Sequence, residues 1–325
     1  MKTKYFVILF SVIACLHSVN AQYDFDAVER ERMAKAKVKT QTQWTYDYVN
    51  GKLSVKGYKS CVTKYNVKGN ITEVINFNES GEIISLTIYQ YDSRDNRVNW
   101  ERYQGNRNSL LYSQKIQYDV RGNKVREYGY DGATIYNNTY VYGADGKLSE
   151  ITYTLENLVV EKRTLKATGN KTEIMVYDPA NKLVFRQENT YNNSGFLISE
   201  IKTGGTGNVL HSLDMQYNNI GGLMEETRKR ADDKLDYRKL YHYNNDNRPV
   251  KEETVNLDGT KYISHEYQYN NTGDLISESW KKNNRTKESS TKKLIYDSKG
   301  LYTEVECYFA SYKLHSLYKY TYEFY

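Results

Sequence analysis

The chain has 325 residues, 46 Lys and Arg against 40 Asp and Glu, and a formal net charge of +6. A mixed, mildly basic balance of this kind does not argue for nucleic acid as a partner. Hydrophobic residues make up 39%, yet the tally includes 34 tyrosines, so a core of Leu, Ile and Val is thin. Tyrosine buries its ring while the hydroxyl stays wet, which favours an open or loosely wrapped sheet over a tight sandwich.

Residues 1–21 read as an export signal. Lys2 and Lys4 form the charged start, Tyr5 to Leu16 an apolar run, and Val19-Asn20-Ala21 a small-residue cleavage site. Cleavage there removes two lysines and takes the charge from +6 to +4. The rival reading takes Val12-Ile13-Ala14-Cys15 as a lipobox, with Cys15 as a lipid anchor. No later run approaches about 20 apolar residues, so no transmembrane helix is expected. The protein is therefore expected to be exported to the periplasm, the cell surface or the medium, or anchored through Cys15.

Residues 22–40 form a leader with a short helix, rich in helix formers from Glu29 to Lys37. Residues 41–325 form one β-repeat domain. The first strand, Trp44 to Tyr48, runs into Asn50-Gly51, a strong hairpin signal. The last is Tyr318 to Phe324. Both terminal runs read as end caps, which repeat arrays need because their outer units lack a neighbour.

Between them a period dominates. Tyr191, Tyr217, Tyr243 and Tyr269 are each followed by Asn-Asn and stand 26 residues apart. The register continues backwards through Leu165, Tyr142, Tyr118, Tyr91 and Tyr65, and forwards to Tyr296. Second turn signals such as Ser80-Gly81, Asp131-Gly132 and Asp258-Gly259 lie midway. Two turns per unit leave two runs of about nine residues, which fits strands. From Val209 to Tyr217 apolar and polar positions alternate with period two, Leu210 excepted. The fold expected is all-β: an elongated, curved antiparallel sheet built from two-strand repeats, with a short N-terminal helix.

Tyr118-Asp119-Val120-Arg121-Gly122-Asn123 and Tyr296-Asp297-Ser298-Lys299-Gly300 resemble the YD repeats of the RHS/teneurin class. The resemblance covers roughly residues 46–304 by the repeat period. It departs from the class in two ways: Asn replaces Asp in most central copies, and no large carboxy-terminal toxin or protease segment follows. The resemblance implies a continuous, spiralling β-sheet. Encapsulation of cargo is not carried over, because no cargo segment is present.

No catalytic constellation stands out. His211, His242, His265 and His315 fall in no Ser-His-Asp or Cys-His arrangement. There is no HExxH, no CxxC and no phosphate-cradling loop, and no cofactor is implied. Glu127, Glu200, Glu226, Glu252 and Glu278 recur nine residues after the repeat position. They read as a solvent-face ladder paired with Lys and Arg; calcium binding or glycosidic acid/base work are the alternatives. The repeat tyrosines read as rings packed under each turn, with stacking on sugars as the alternative. Trp100, Tyr103, Trp280 and Tyr302, off the regular beat, are the candidate ligand contacts. Cys61 and Cys307 are separated by roughly nineteen strands, on the order of 90 Å in an open sheet, so two free thiols are expected.

These features point to a non-catalytic exported module that binds a glycan or a cell-surface protein. A structural or carrier component of an envelope complex is the second reading. A glycan-processing enzyme that uses the glutamates is the third.

Overall fold

A computed structural model describes residues 25–281, 283 and 288–325. The export signal and Cys15 lie outside the described residues. Among the described residues there are one helix, Phe25–Lys35, and 23 strands.

Each central repeat tyrosine is the last residue of a strand: Leu183–Tyr191, Val209–Tyr217, Leu235–Tyr243 and Lys261–Tyr269. The Asn or Asp that follows builds the turn. Asn192 Oδ1 accepts the backbone N–H of Ser194 and of Phe196, both at 3.0 Å. Asn218, Asn244, Asp92, Asp119 and Asp297 repeat this pair of bonds. The side chain thus stands in for a backbone acceptor, as Asn and Asp do in turns. The fourth residue after the tyrosine needs positive φ. Gly195 takes it at 82°, and Asn247 substitutes for Gly at 57°.

The tyrosine has its own task. Tyr217 Oη donates to the carbonyl of Leu197 at 2.8 Å, and Tyr243 to Leu223 at 2.9 Å. Tyr269 reaches Pro249 at 2.9 Å and Tyr296 reaches Leu275 at 2.7 Å. Each acceptor is the first residue of the preceding strand. The phenol therefore staples a hairpin at the end away from its turn, where the two strands would otherwise fray. The strand register slips by one residue at each of these tyrosines, a β-bulge that sharpens twist.

The sheet is not elongated and open; it closes. The first strand, Val38–Val49, pairs antiparallel with the last, Leu314–Phe324, from Val38↔Phe324 to Asp47↔Ser316. It also pairs with Tyr58–Tyr65 on its other side. The two-residue strand Lys52–Leu53 pairs only with the tip of the first strand, so 22 strands form the ring. The expectation of an elongated curved sheet of repeats, capped at each end, is thus corrected: the two runs read as caps are each other's neighbours. The physical reason lies in unused hydrogen-bonding edges. Two free edges of a long sheet are costly, and closure alone removes both.

The seam carries its own staple. Tyr322 lies 26 residues after Tyr296 and donates to the Tyr302 carbonyl at 2.8 Å. Gln41 spans the junction: Tyr65 Oη donates to its Oε1 at 3.1 Å, and its Nε2 donates to Tyr322 Oη at 3.1 Å.

The repeat tyrosines face the concave side. The helix decides this. Arg30 lies against Gly69, while Arg32 forms an ion pair with Asp274 at 2.7 Å. Those two turns are six strands apart around the ring, about 29 Å of perimeter, and the helix is only about 16 Å long. A single short helix reaches both only from inside. Its Met33 is fully buried against Val38, Tyr65 and Leu301. The helix thus sits within the mouth where the repeat turns gather. At about 4.8 Å per strand, 22 strands give a ring roughly 34 Å across before tilt widens it, enough for a lumen.

The opposite face is charged around the perimeter. Lys64–Glu73, Lys162–Glu150, Lys171–Glu188, Arg238–Glu225 and Lys319–Glu304 lie between 2.6 and 2.9 Å. A membrane-spanning barrel needs an outward apolar band about 25 Å tall, and Lys162–Glu150, Arg238–Glu225 and Lys319–Glu304 fall inside their strands, where such a band would run. No helix among the described residues is long and apolar enough to cross a membrane.

Candidate functional site

The lumen wall is the candidate site, because alternation puts the tyrosine column and the recurring glutamates on one face. Glu127 stands opposite Ile116, Glu200 opposite Leu213, Glu226 opposite Met215, Glu252 opposite Tyr241 and Glu278 opposite Tyr267. The glutamates are therefore not a solvent-face ladder on the outside. They face inward with the rings.

Their partners differ. Glu127 is 7% exposed and takes three donors: Gln114 Nε2 at 2.8 Å, Lys124 Nζ at 2.7 Å and Tyr140 Oη at 3.2 Å. Glu200 meets His211 Nε2 at 3.2 Å and Gln187 at 2.9 Å. Glu226 accepts Tyr237 Oη at 2.6 Å; burial and this carboxylate push the phenol up to about 12. Glu252 meets Lys239 at 3.3 Å and Ser264 at 3.0 Å. Glu278 lies 3.8 Å from His265 Nε2. Nearby Lys202 has its ammonium 3.7 Å from the Phe185 ring, and burial lowers its pKa.

From Glu200 to Glu278 each glutamate is two strands from the next, about 10 Å. Among the described residues no group of three or more His, Cys, Asp or Glu is gathered to hold a metal.

The four aromatic candidates do not share one surface. Trp100 faces the lumen, where its Nε1 donates to Gln114 at 2.8 Å and so joins the Glu127 network. Tyr103 lies outside, bonded to Glu101 at 2.7 Å, and continues the row Val62, Ile75, Leu86 across neighbouring strands. Tyr302 is covered by the helix: its hydroxyl donates to Glu29 at 2.9 Å, and Arg32 stacks over its ring at 5.4 Å. Trp280 faces the lumen at the mouth away from the helix, 6.4 Å from His265 and edge-on to Phe309 at 6.0 Å. The signal that could have found the helix contacts is the charge of Glu29 and Arg32, one turn apart on the same short helix.

Of the remaining repeat tyrosines, Tyr118 donates to Arg97, Tyr142 to Lys124 and Tyr91 to Ile71, all at backbone carbonyls. Tyr191 closes its strand against Leu197. Cys61 and Cys307 are both free, and burial raises both thiols. Closure leaves them three strands apart rather than nineteen. That is still about 14 Å, twice the reach of a disulfide.

A second concavity of about 670 Å³ lies outside the ring beside the seam, with Tyr48, Lys293, Glu304 and Glu306 in its lining. Its charges are mutually engaged: Glu306 accepts Tyr48 Oη at 3.0 Å and contacts His315 Nε2 at 2.9 Å, and Glu304 pairs with Lys319.

No family model matches the chain, and no curated protein matches it. Among solved structures the chain is similar to TcdB2-TccC3-Cdc42, at 11% identity and a TM-score of 0.30 over 83% of this chain and 19% of that one. It is similar at the same identity and TM-score to the Photorhabdus luminescens Tc holotoxin pore, over 83% of this chain and 18% of that one. It is also similar to a porin-like protein from Bacteroides uniformis, at 9% identity and a TM-score of 0.34 over 89% and 97% of the two chains. The chain spans about a fifth of the toxin chains it matches. At these scores neither likeness carries weight for fold or function; the barrel rests on its own strand pairing.

Proposed function

We propose that this chain is an exported, non-catalytic binding protein of the cell envelope, with a glycan or cell-surface protein as its ligand. The observation that supports it is the lumen wall: aromatic rings and carboxylates face one enclosed, water-accessible space, behind a charged exterior. Rings supply flat stacking surfaces and carboxylates accept hydroxyl donors, a combination suited to saccharides. Export follows from residues 1–21, with anchoring through Cys15 as the alternative. Kinship with YD-repeat proteins belongs to the same proposal.

A glycan-panel assay on residues 22–325, with and without calcium, tests this reading. Saturable binding to one sugar class supports it. Clean absence of binding moves the weight to the second reading, a structural or carrier component of an envelope complex. The exposed apolar residues of the outer face, Val141, Ile201 and Ile295 among them, favour that reading, since they interrupt its ion pairs. Crosslinking from the native envelope then identifies the partner.

A further inference from the structure

We propose that the barrel mouth opposite the helix holds a saccharide subsite built by Trp280, His265 and Glu278, and that its ligand is an oligosaccharide of gluco-configured hexoses. The proposal rests on the binding reading above and names its site and ligand class.

Three observations converge there. First, the rings form a row. Tyr267 and His265 are parallel within 8° at 5.7 Å, and His265 and Trp280 within 14° at 6.4 Å. Phe309 meets Trp280 edge-on at 70° and fixes its orientation. Second, a carboxylate borders the row. Glu278 is two residues before Trp280, on the same face, and its side chain keeps 23% of its exposure. Its contact to His265 is 3.8 Å, longer than a hydrogen bond. Glu127, by contrast, is buried and already takes three donors. Third, Trp280 and Glu278 are only partly buried, as is the whole of their strand. Trp280 ends its strand at the mouth away from the helix. Side chains from both walls still leave a passage on the order of 20 Å, wider than a sugar chain.

The geometry selects the ligand class. A pyranose whose hydroxyls are all equatorial presents flat C–H faces that stack on the terminal ring of such a row, here Trp280. Its hydroxyls then point outward at the rim, where a carboxylate accepts them. An axial hydroxyl would lift the pyranose off Trp280.

The test uses residues 22–325 with cellotetraose as probe, read by titration calorimetry and tryptophan fluorescence. The expected result is saturable binding with a shift in emission. Trp280→Ala and Glu278→Gln should each weaken binding at least about tenfold, while Trp44→Phe, on the outer face, leaves it unchanged. Glu278→Gln keeps shape and volume, so it decides the matter if Trp280→Ala does not fold. Tetrasaccharide binding undiminished in both variants overturns the subsite but leaves the binding reading standing. Panel binding restricted to sugars with axial hydroxyls overturns the ligand class. Silence from both cellotetraose and the panel overturns the binding reading and this inference with it.

Discussion

Two residues of the repeat have separable jobs, and each gives a prediction. The tyrosine hydroxyl holds the far end of a hairpin; its ring packs in any case. Tyr243→Phe should therefore lower stability by about 1 kcal/mol, the typical worth of one hydrogen bond, seen as a lower urea midpoint with unchanged circular dichroism. The turn residue is Asn in the central copies and Asp in others, and only Asp titrates. The Asn96 side chain holds the Asp92 carboxyl below its usual range, and the Asn123 backbone N–H does the same for Asp119. A lowered pKa means stability that is present above the ordinary carboxylate range and is lost as pH falls through the folded value. The double variant Asp92→Asn, Asp119→Asn should flatten the acid limb of the stability curve below about pH 4 and change stability at pH 7 little; thermal melts across pH 2–7 measure it. Much of this was legible beforehand. A polar residue that accepts N–H groups, followed by Gly or Asn, announces a turn from local chemistry alone. The hydroxyl staple was not, because its acceptor is a backbone carbonyl 20 residues away and carries no side-chain signature.

At the scale of elements, the seam is the one strand pair without a turn to hold it. Its inner face depends on Gln41, which bonds Tyr65 and Tyr322 together. Replacing Gln41 with Leu strands the hydroxyl of Tyr65, a residue only 6% exposed, and should cost about 2 kcal/mol. Hydrogen exchange should then rise first in Val38–Val49 and Leu314–Phe324, ahead of the central hairpins. Exchange that rises evenly around the ring would argue against a privileged seam. These two strands are also where sequence reading failed. Trp44, Tyr46 and Tyr48 look like a cap because their aromatics alternate. The informative residues were their polar neighbours, Gln41, Gln43 and Thr45, which pair with Tyr322, Tyr320 and Tyr318. A one-face reading of the strand hid them.

For the whole molecule, closure could not be read locally, because it depends on twist summed over many strands. A flat array of 22 strands would extend about 105 Å, whereas the ring is roughly a third of that across before tilt. Small-angle X-ray scattering should therefore give a compact distance distribution with a hollow centre, and no vectors near 100 Å. The charged exterior predicts further that residues 22–325 stay in the supernatant when sedimented with phospholipid vesicles. Partition into the pellet would contradict the assignment of outer and inner faces. The candidate site suffered from the same blindness. Trp280 was visible as an off-beat aromatic, but only the inward turn of its face makes it a neighbour of an enclosed space. Tyr302, equally visible, lies under a helix whose docking depends on the Glu29 and Arg32 contacts.

The antiparallel seam also constrains copy number. Adjacent strands alternate in direction, so the first and last can meet antiparallel only when the ring holds an even count. Each 26-residue unit contributes two strands and preserves that parity. Excising residues 192–217 joins Tyr191 to Asn218 and leaves Tyr191 facing Leu223 as Tyr217 did. The result is a 20-strand ring with its ends still in register. Removing half a unit instead would bring the termini together running the same way. Gain or loss of whole units is therefore the step by which such a ring can change its bore, and any step between is topologically closed to it.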